Sequence, residues 1–177
     1  MELNNIKLSI SNKKLTDNEK NSLLEAYKIL FNKMYGYDII NEYLKKSSSN
    51  TQANYSINLF DLKKNELLLI YDKDNNLIGG GRIKEIDKKT IKVLDIAINI
   101  DNEYEKRNLW KMAISYIEKH YLNLNYKKMY IEIPLNEPCL LTRADDLGFK
   151  ESPDDISILG NNKTYILNKI LESKKDE

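Results

Sequence analysis

Residues 90–135, TIKVLDIAINIDNEYEKRNLWKMAISYIEKHYLNLNYKKMYIEIPL, decide the fold. TIKVLDIAINI (90–100) is rich in isoleucine and valine and reads as a strand. NEYEKRNLWKMAISYIEKHYL (102–122) changes to the spacing of an amphipathic helix, predicted over 103–121. KMYIEIPL (128–135) is again a strand. A crossover of that length joins parallel strands, because an antiparallel pair needs only a short turn. The unit therefore predicts strands 90–100 and 128–135 running parallel in one sheet, with the helix crossing between them.

The flanking segments extend the pattern in both directions. NIKLSI (5–10) alternates Ile6, Leu8 and Ile10, as a half-buried strand does. Thr16 opens TDNE, a capping-box pattern with Glu19, and Leu23, Tyr27, Leu30, Phe31 and Met34 follow at helical spacing up to Gly36, a natural stop. A shorter helix is expected at 37–46 and an exposed polar loop at 45–54. ELLLIYD (66–72) and LIGGGRIKEI (77–86), separated from each other and from 90–100 by the turn segments KDNN and DKK, predict a meander of hairpins. A helix at about 136–146 follows the central unit, LGFKES (147–152) begins a final strand region, and KTYILNKIL (163–171) is its partner. The order β, α, α, three strands, α, β, α, β, β predicts an α+β fold with a mixed, mostly antiparallel central sheet flanked by helices. A length of 177 residues fits a single domain over 1–177, with 172–177 as a frayed tail.

Composition narrows the function classes. The 28 Lys and Arg and 27 Asp and Glu nearly cancel to a net charge of +1, so no strong field points to nucleic acid or to a membrane surface. Arginine occurs only at 82, 107 and 143, and the abundance of Lys, Asn and Ile matches A/T-rich codons. Cys139 is the only cysteine, which excludes an internal disulfide and suits a reducing cytoplasm. MELNNIKLSISNKK has no apolar core for a signal peptide, and no stretch approaches the roughly 18 apolar residues of a membrane span. A cytoplasmic domain is expected. No His/Cys cluster suggests a metal, and no Walker or dinucleotide glycine pattern is present.

Three stretches, in this order, resemble the GNAT acyltransferase superfamily, whose members transfer an acyl group from acyl-CoA to an amine. LIYDKDNNLIGGGRI (69–83) is similar to a hairpin in which many members carry glycine after the turn. LDIAINIDNEYEKRNLWKMAISYIEKH (94–120) is similar to the fourth strand and cofactor helix, and NEPCLLTRADDLGFK (136–150) to the Asn-containing helix start and closing LGF. The resemblance covers most of the chain, best over 66–170. It implies an acyl-CoA-dependent N-acyltransferase that moves an acetyl group from acetyl-CoA to a primary amine, of a small molecule or a protein, by direct attack. It leaves a homodimer open. The alternative is a GNAT-like binding or regulatory module with impaired catalysis.

Two departures from the family pattern are specific. The cradle for the CoA pyrophosphate runs Arg or Gln, two residues, Gly, one residue, then Gly or Ala; those positions fall on Glu105, Asn108 and Trp110, and none matches. Such a cradle points backbone N–H groups of a helix N-terminus at the phosphates, and glycine permits close approach. Asn108 tolerates unusual backbone angles, and Lys106 and Arg107 supply charge in place of proximity. The resemblance thus implies cofactor contacts from Ile98, Ile100, Lys106, Arg107, Asn108, Leu109 and Trp110, and from Asn136 near the pantetheine arm. Without a ligand, Asn136 reads as a helix N-cap. The tyrosine that many members carry four residues before the glycine of LGF, as proton donor to the departing thiolate, is Ala144 here.

The remaining chemistry rests on carboxylates inside strands. Alternation places Val93, Asp95, Ala97 and Asn99 on one face and Leu94, Ile96, Ile98 and Ile100 on the other. Asp95, flanked by apolar residues, is a candidate general base, directly or through water; otherwise it faces solvent or pairs with a neighbouring lysine. Glu132 carries the same logic on the next strand. The family has a bulge on its fourth strand that offers a backbone N–H to the oxyanion, and Ile98–Ile100 is the matching stretch. Arg82 reads as a partner for an acidic group or an ion pair. His120 reads as a helix C-terminal charge, Cys139 as a small buried thiol, and Tyr71, Tyr130 and Tyr165 as core or acceptor-pocket residues.

Overall fold

The computed structural model of the chain describes residues 5–36, 65–151 and 164–172. The helix expected at 37–46, the polar loop at 45–54 and most of the tail lie outside the described residues. The elements are β1 (Lys7–Ser11), α1 (Asp17–Tyr35), β2 (Glu66–Tyr71), β3 (Leu77–Asp87), β4 (Thr90–Ile98), α2 (Glu103–Asn123), β5 (Lys128–Pro134), α3 (Pro138–Asp146), β6 (Lys150–Glu151) and β7 (Thr164–Ile170). They form a seven-stranded sheet in the order β1-β2-β3-β4-β5-β7-β6. β4 and β5 run parallel, as the central unit predicts, and the other described pairs are antiparallel.

Local chemistry sets the element ends. Thr16 Oγ1 accepts from the Glu19 N–H at 3.2 Å and Glu19 returns a carboxylate to the Thr16 N–H at 2.8 Å, so α1 starts on a complete capping box. That backbone hydrogen bond leads the causes that hold the Glu19 carboxyl below its usual range. Gly36 ends α1 in the left-handed conformation, with φ of 72°. Asp72 closes the β2–β3 turn by accepting from the N–H groups of Asp74 at 2.8 Å and Asn76 at 2.9 Å. At α3 the expected Asn136 cap is not formed. Glu137 occupies the cap position without a side-chain bond, and Pro138 follows at the helix start, where its missing N–H costs nothing.

The sheet separates two apolar layers. On one face Leu23, Leu24, Ala26 and Tyr27 of α1 pack on Leu67, Leu69, Leu77 and Ala97. Gly80 permits this approach: a Cβ there would meet the Leu68 carbonyl and lie 2.8 Å from Leu23 Cδ1. The other face carries the larger core, in which Leu109, Ala113, Ile114 and Ile117 of α2 and Leu140 and Ala144 of α3 cover Ile83, Ile91, Val93, Met129 and Ile131. Burying each such Leu or Ile side chain contributes roughly 1.5–3 kcal/mol.

Strand β4 carries the feature that opens the site. Its register against β3 passes from Arg82↔Asp95 to Ile83↔Val93, so Leu94 is an extra residue in a bulge. This corrects the expected alternation. Val93 joins Ile96 and Ile98 in the α2-side core, whereas Ala97 packs on the α1 side, because one inserted residue exchanges the faces. The bulge also lies at Leu94 rather than at 98–100, and β4 ends at Ile98. Beyond it β4 leaves β5. The two pair only from Thr90↔Lys128 to Val93↔Ile131, while β4 continues along β3 to Ile98 and β5 continues along β7 to Pro134.

Candidate active site

The parting of β4 and β5 opens a cleft of about 140 Å³ between the strands, the second half of α1 and the first turns of α2. That is close to the roughly 150 Å³ of an engineered cavity that takes benzene. It admits the reacting ends of two molecules rather than a whole nucleotide. Beyond Val93, β4 presents a main-chain edge toward β5 with no strand residue of β5 opposite it.

Asp95 and Glu132 both line this cleft, with different surroundings. Asp95 Oδ1 accepts from the Tyr27 hydroxyl of α1 and from Arg82 Nε at 3.2 Å; Oδ2 accepts from Arg82 Nε at 3.0 Å and Nη2 at 2.5 Å. A carboxylate has about four lone-pair directions, and here each oxygen already meets two donors. Asp95 can take an amine proton only by displacing Arg82 or Tyr27. Burial, and then the Asp95 charge, push the Tyr27 hydroxyl well above the ordinary tyrosine value, so it stays a donor. The triad ties α1, β3 and β4 together behind the cleft.

Glu132 sits where the strands part, one residue beyond Ile131. Its Oε1 pairs with Lys92 Nζ at 2.9 Å, and both side chains are buried, 10% and 7% exposed. Among the described residues Oε2 has no partner. Of these two strand carboxylates, Asp95 is fully engaged and Glu132 has an oxygen to spare.

Charges from three parts of the chain pair with one another along the cleft wall. Lys33 Nζ at the end of α1 pairs with Glu137 before α3 and, at 3.5 Å, with Glu103 at the start of α2; Lys106 Nζ also reaches Glu103 at 3.1 Å. Burial lowers the Lys33 ammonium, but Glu137 and then Glu103 outweigh it and leave it above the usual lysine value. The Lys106 hydrogen bond, followed by the nearby charges, holds Glu103 below the usual glutamate value against its burial. Asn136 is exposed and donates its Nδ2 to the Lys33 carbonyl, so it joins the end of α1 to the approach to α3.

The helix start differs from a phosphate-binding loop. α2 begins at Glu103, so 105–110 lie inside the helix. Asn102 Oδ1 accepts from the Glu105 N–H at 3.0 Å, and the Lys106 N–H donates to Asn102 O at 2.9 Å. Those N–H groups have partners already. Arg107 is the exception: it lines the cleft, and its buried Nε has no partner among the described residues. An unsatisfied buried donor costs about 1–3 kcal/mol, more when charged, and an anionic ligand in the cleft would remove that cost.

The other sequence candidates divide. Ile98, Lys106 and Trp110 line the cleft with Arg107. Leu109 is buried in the α2-side core, and Ile100 packs against that core. Asn108 Oδ1 accepts from Arg143 Nη2 at 3.2 Å. Cys139 is exposed rather than buried, since it sits on the outer side of the first turn of α3. His120 lies in the last turn of α2, against the Tyr121 ring. No group of metal-ligating side chains occurs among the described residues, and none of their helices is long and apolar enough to cross a membrane. Sequence reasoning missed Lys92, Tyr27 and Lys33. Lys92 had a signal, a lysine embedded in an apolar strand; the other two act through contacts far apart in the chain.

No protein-family model matches the chain, and no curated protein matches its sequence. Solved structures do match. PaiA N-acetyltransferase from Thermoplasma acidophilum, solved in complex with coenzyme A, is similar with a TM-score of 0.63 at 16% identity over 93% of this chain and 99% of its own. A GNAT-family acetyltransferase from Staphylococcus aureus Mu50 gives 0.62 at 16% identity, over 94% and 100%. Spermidine N-acetyltransferase from Vibrio cholerae gives 0.59 at 16% identity, over 95% of each chain.

Proposed function

We propose that this chain, which has the fold of the GNAT acetyltransferases, is an acyl-CoA-dependent N-acyltransferase that moves an acetyl group from acetyl-CoA to a primary amine. The observation that carries the reading is the parting of β4 and β5 beyond Val93 and Ile131. It opens a cleft with a partly engaged carboxylate where the strands separate and, on its wall, the Arg107 guanidinium, whose Nε has no partner among the described residues. The amine belongs to a small molecule or to a protein, in keeping with the spermidine acetyltransferase among the similar structures.

The chemistry divides among named groups. An alkyl ammonium has a pKa of about 10.4 and must lose a proton before its nitrogen can attack. Glu132 Oε2 accepts that proton. The nitrogen then attacks the thioester carbonyl, the C–N bond forms, and the C–S bond breaks with the electron pair on sulfur. The second N–H proton leaves through solvent. Ammonium and thioester thus give amide, thiol and one proton. A thiol with a pKa near 8.5 leaves without a dedicated acid, which suits Ala144 in place of a tyrosine. Unpaired main-chain N–H groups of β4 serve the oxyanion and the amides of the pantetheine arm. Arg107 takes a phosphate, and Lys106 and Lys33 exchange carboxylates for phosphates when the cofactor binds.

The test is release of free thiol from acetyl-CoA in the presence of a panel of polyamines, amino acids and N-terminal peptides. Cys139 is exposed and consumes thiol reagent, so release is scored as the amine-dependent excess. At least one amine should give sustained release with stoichiometric N-acetylated product by mass spectrometry. A second reading, a GNAT-fold binding module without catalysis, is favoured by the engaged Glu105 and Lys106 N–H groups at the start of α2 and by the ion pairs that occupy Lys33 and Lys106. It is correct if acetyl-CoA binds and no amine is acetylated.

A further inference from the structure

We propose that Lys92 is a positioning residue: it holds Glu132 ionised, with the second carboxylate oxygen turned to the cleft. Its meaning for catalysis rests on the acyltransferase reading, but the pairing itself is testable without it. Lys92 belongs to the last rungs of the parallel pair, in register with Tyr130, one residue before the strands separate. Its Nζ lies 2.9 Å from Glu132 Oε1 and has no other partner among the described residues. The residue is 5% exposed. A lysine buried for one contact is not what packing selects, because an apolar side chain of similar length commonly serves stability as well or better. The contact is also one-sided. Arg82 takes both oxygens of Asp95, whereas a point-charge ammonium on one oxygen of Glu132 leaves the other available.

The other charges around the cleft do not replace Lys92. α1 brings Tyr27, Tyr35 and Lys33, β3 and β4 bring the Arg82–Asp95 pair, α2 brings Glu103, Lys106 and Arg107, and Glu137 precedes α3; β7 brings the neutral Thr164. All of these except Tyr35, Arg107 and Thr164 are engaged by the tyrosine and ion-pair contacts already described, and Tyr35 and Thr164 have partners of their own. Among the described residues Lys92 is the one cation paired with Glu132. Removing its charge leaves a carboxylate largely out of water with no paired cation, which favours the protonated form.

The experiment is carboxyl-edited infrared spectroscopy of 13C-glutamate-labelled full chain as a function of pH. The Glu132 band is identified by its loss in Glu132→Gln. In Lys92→Met the pH at which Glu132 takes up its proton should rise relative to the parent, and Lys92→Arg should restore most of the difference. Lys92→Gln, which keeps a donor but no charge, gives the same upward shift and serves if the methionine variant does not fold. With an active amine, the acid limb of kcat/KM should move by the same amount. An unchanged Glu132 profile in the folded uncharged variants overturns the proposal and leaves Lys92 as a strand tie. A shifted band in a chain that acetylates no amine overturns the acyltransferase reading and leaves the Lys92–Glu132 assignment standing.

Discussion

Glu132→Gln should lower turnover on any accepted amine by roughly 10²- to 10⁴-fold, the range of a lost general base. The amide keeps the shape of the side chain and an oxygen for Lys92 Nζ but leaves that ammonium without a paired charge, so some stability is lost as well and turnover is read per folded chain, while acetyl-CoA affinity should change little. Asp95→Asn should act differently. It removes the charge that Arg82 meets at 2.5 Å and 3.0 Å, and breaking a buried pair by taking one partner costs about 3–5 kcal/mol. Its activity loss should therefore follow its loss of folded protein, read by denaturant midpoint, whereas that of Glu132→Gln should not. Wild-type kcat in Glu132→Gln removes Glu132 from the proton transfer. A folded, fully stable and inactive Asp95→Asn would return the role to Asp95.

Arg107→Met should weaken binding of CoA by about 10- to 100-fold, the worth of one hydrogen-bonded charge at about 1.5–3 kcal/mol. The same change should leave the free protein as stable as the parent or more so, because it removes a buried donor that has no partner among the described residues. Loss of affinity with no loss of stability is the signature of a group kept for a ligand. The salt dependence of binding should flatten as well, since attraction between Arg107 and phosphate is screened over about 10 Å at 0.1 M salt. Calorimetric titration at two ionic strengths reads all of this. Unchanged affinity at both would assign the phosphates to other groups.

The fold was legible because its main unit is periodic. The strand–helix–strand of 90–135 carries its parallel geometry in its spacing, and Thr16, Glu19 and Gly36 mark the ends of α1 by side-chain chemistry alone. The faces of β4 were not legible. Strict alternation assigns Asp95 to the side of Val93, and a single extra residue at Leu94 reverses that. Nothing in KVLDI announces a bulge, since any residue can occupy one. The two carboxylates were findable as charges inside apolar strands. Their difference was not, because it depends on partners remote in sequence: Tyr27 lies 68 positions from Asp95. The start of α2 was legible at Glu103, as expected; the capping was not, because a cradle pattern laid on 105–110 does not show that Asn102 Oδ1 already takes the Glu105 N–H.

Trp110 makes the central claim directly measurable. It is the only tryptophan, it is buried at 5% exposure, and it lines the cleft between the parted strands beside Arg107. Titrating the chain with acetyl-CoA while following tryptophan emission reports on that cleft and nowhere else. A saturable change with one site per chain is the predicted result. It should be competed by CoA and weakened in Arg107→Met. An emission spectrum unmoved by acetyl-CoA, longer-chain acyl-CoA and CoA at millimolar concentration would contradict it, and the opening between β4 and β5 would then not be an acyl-CoA site.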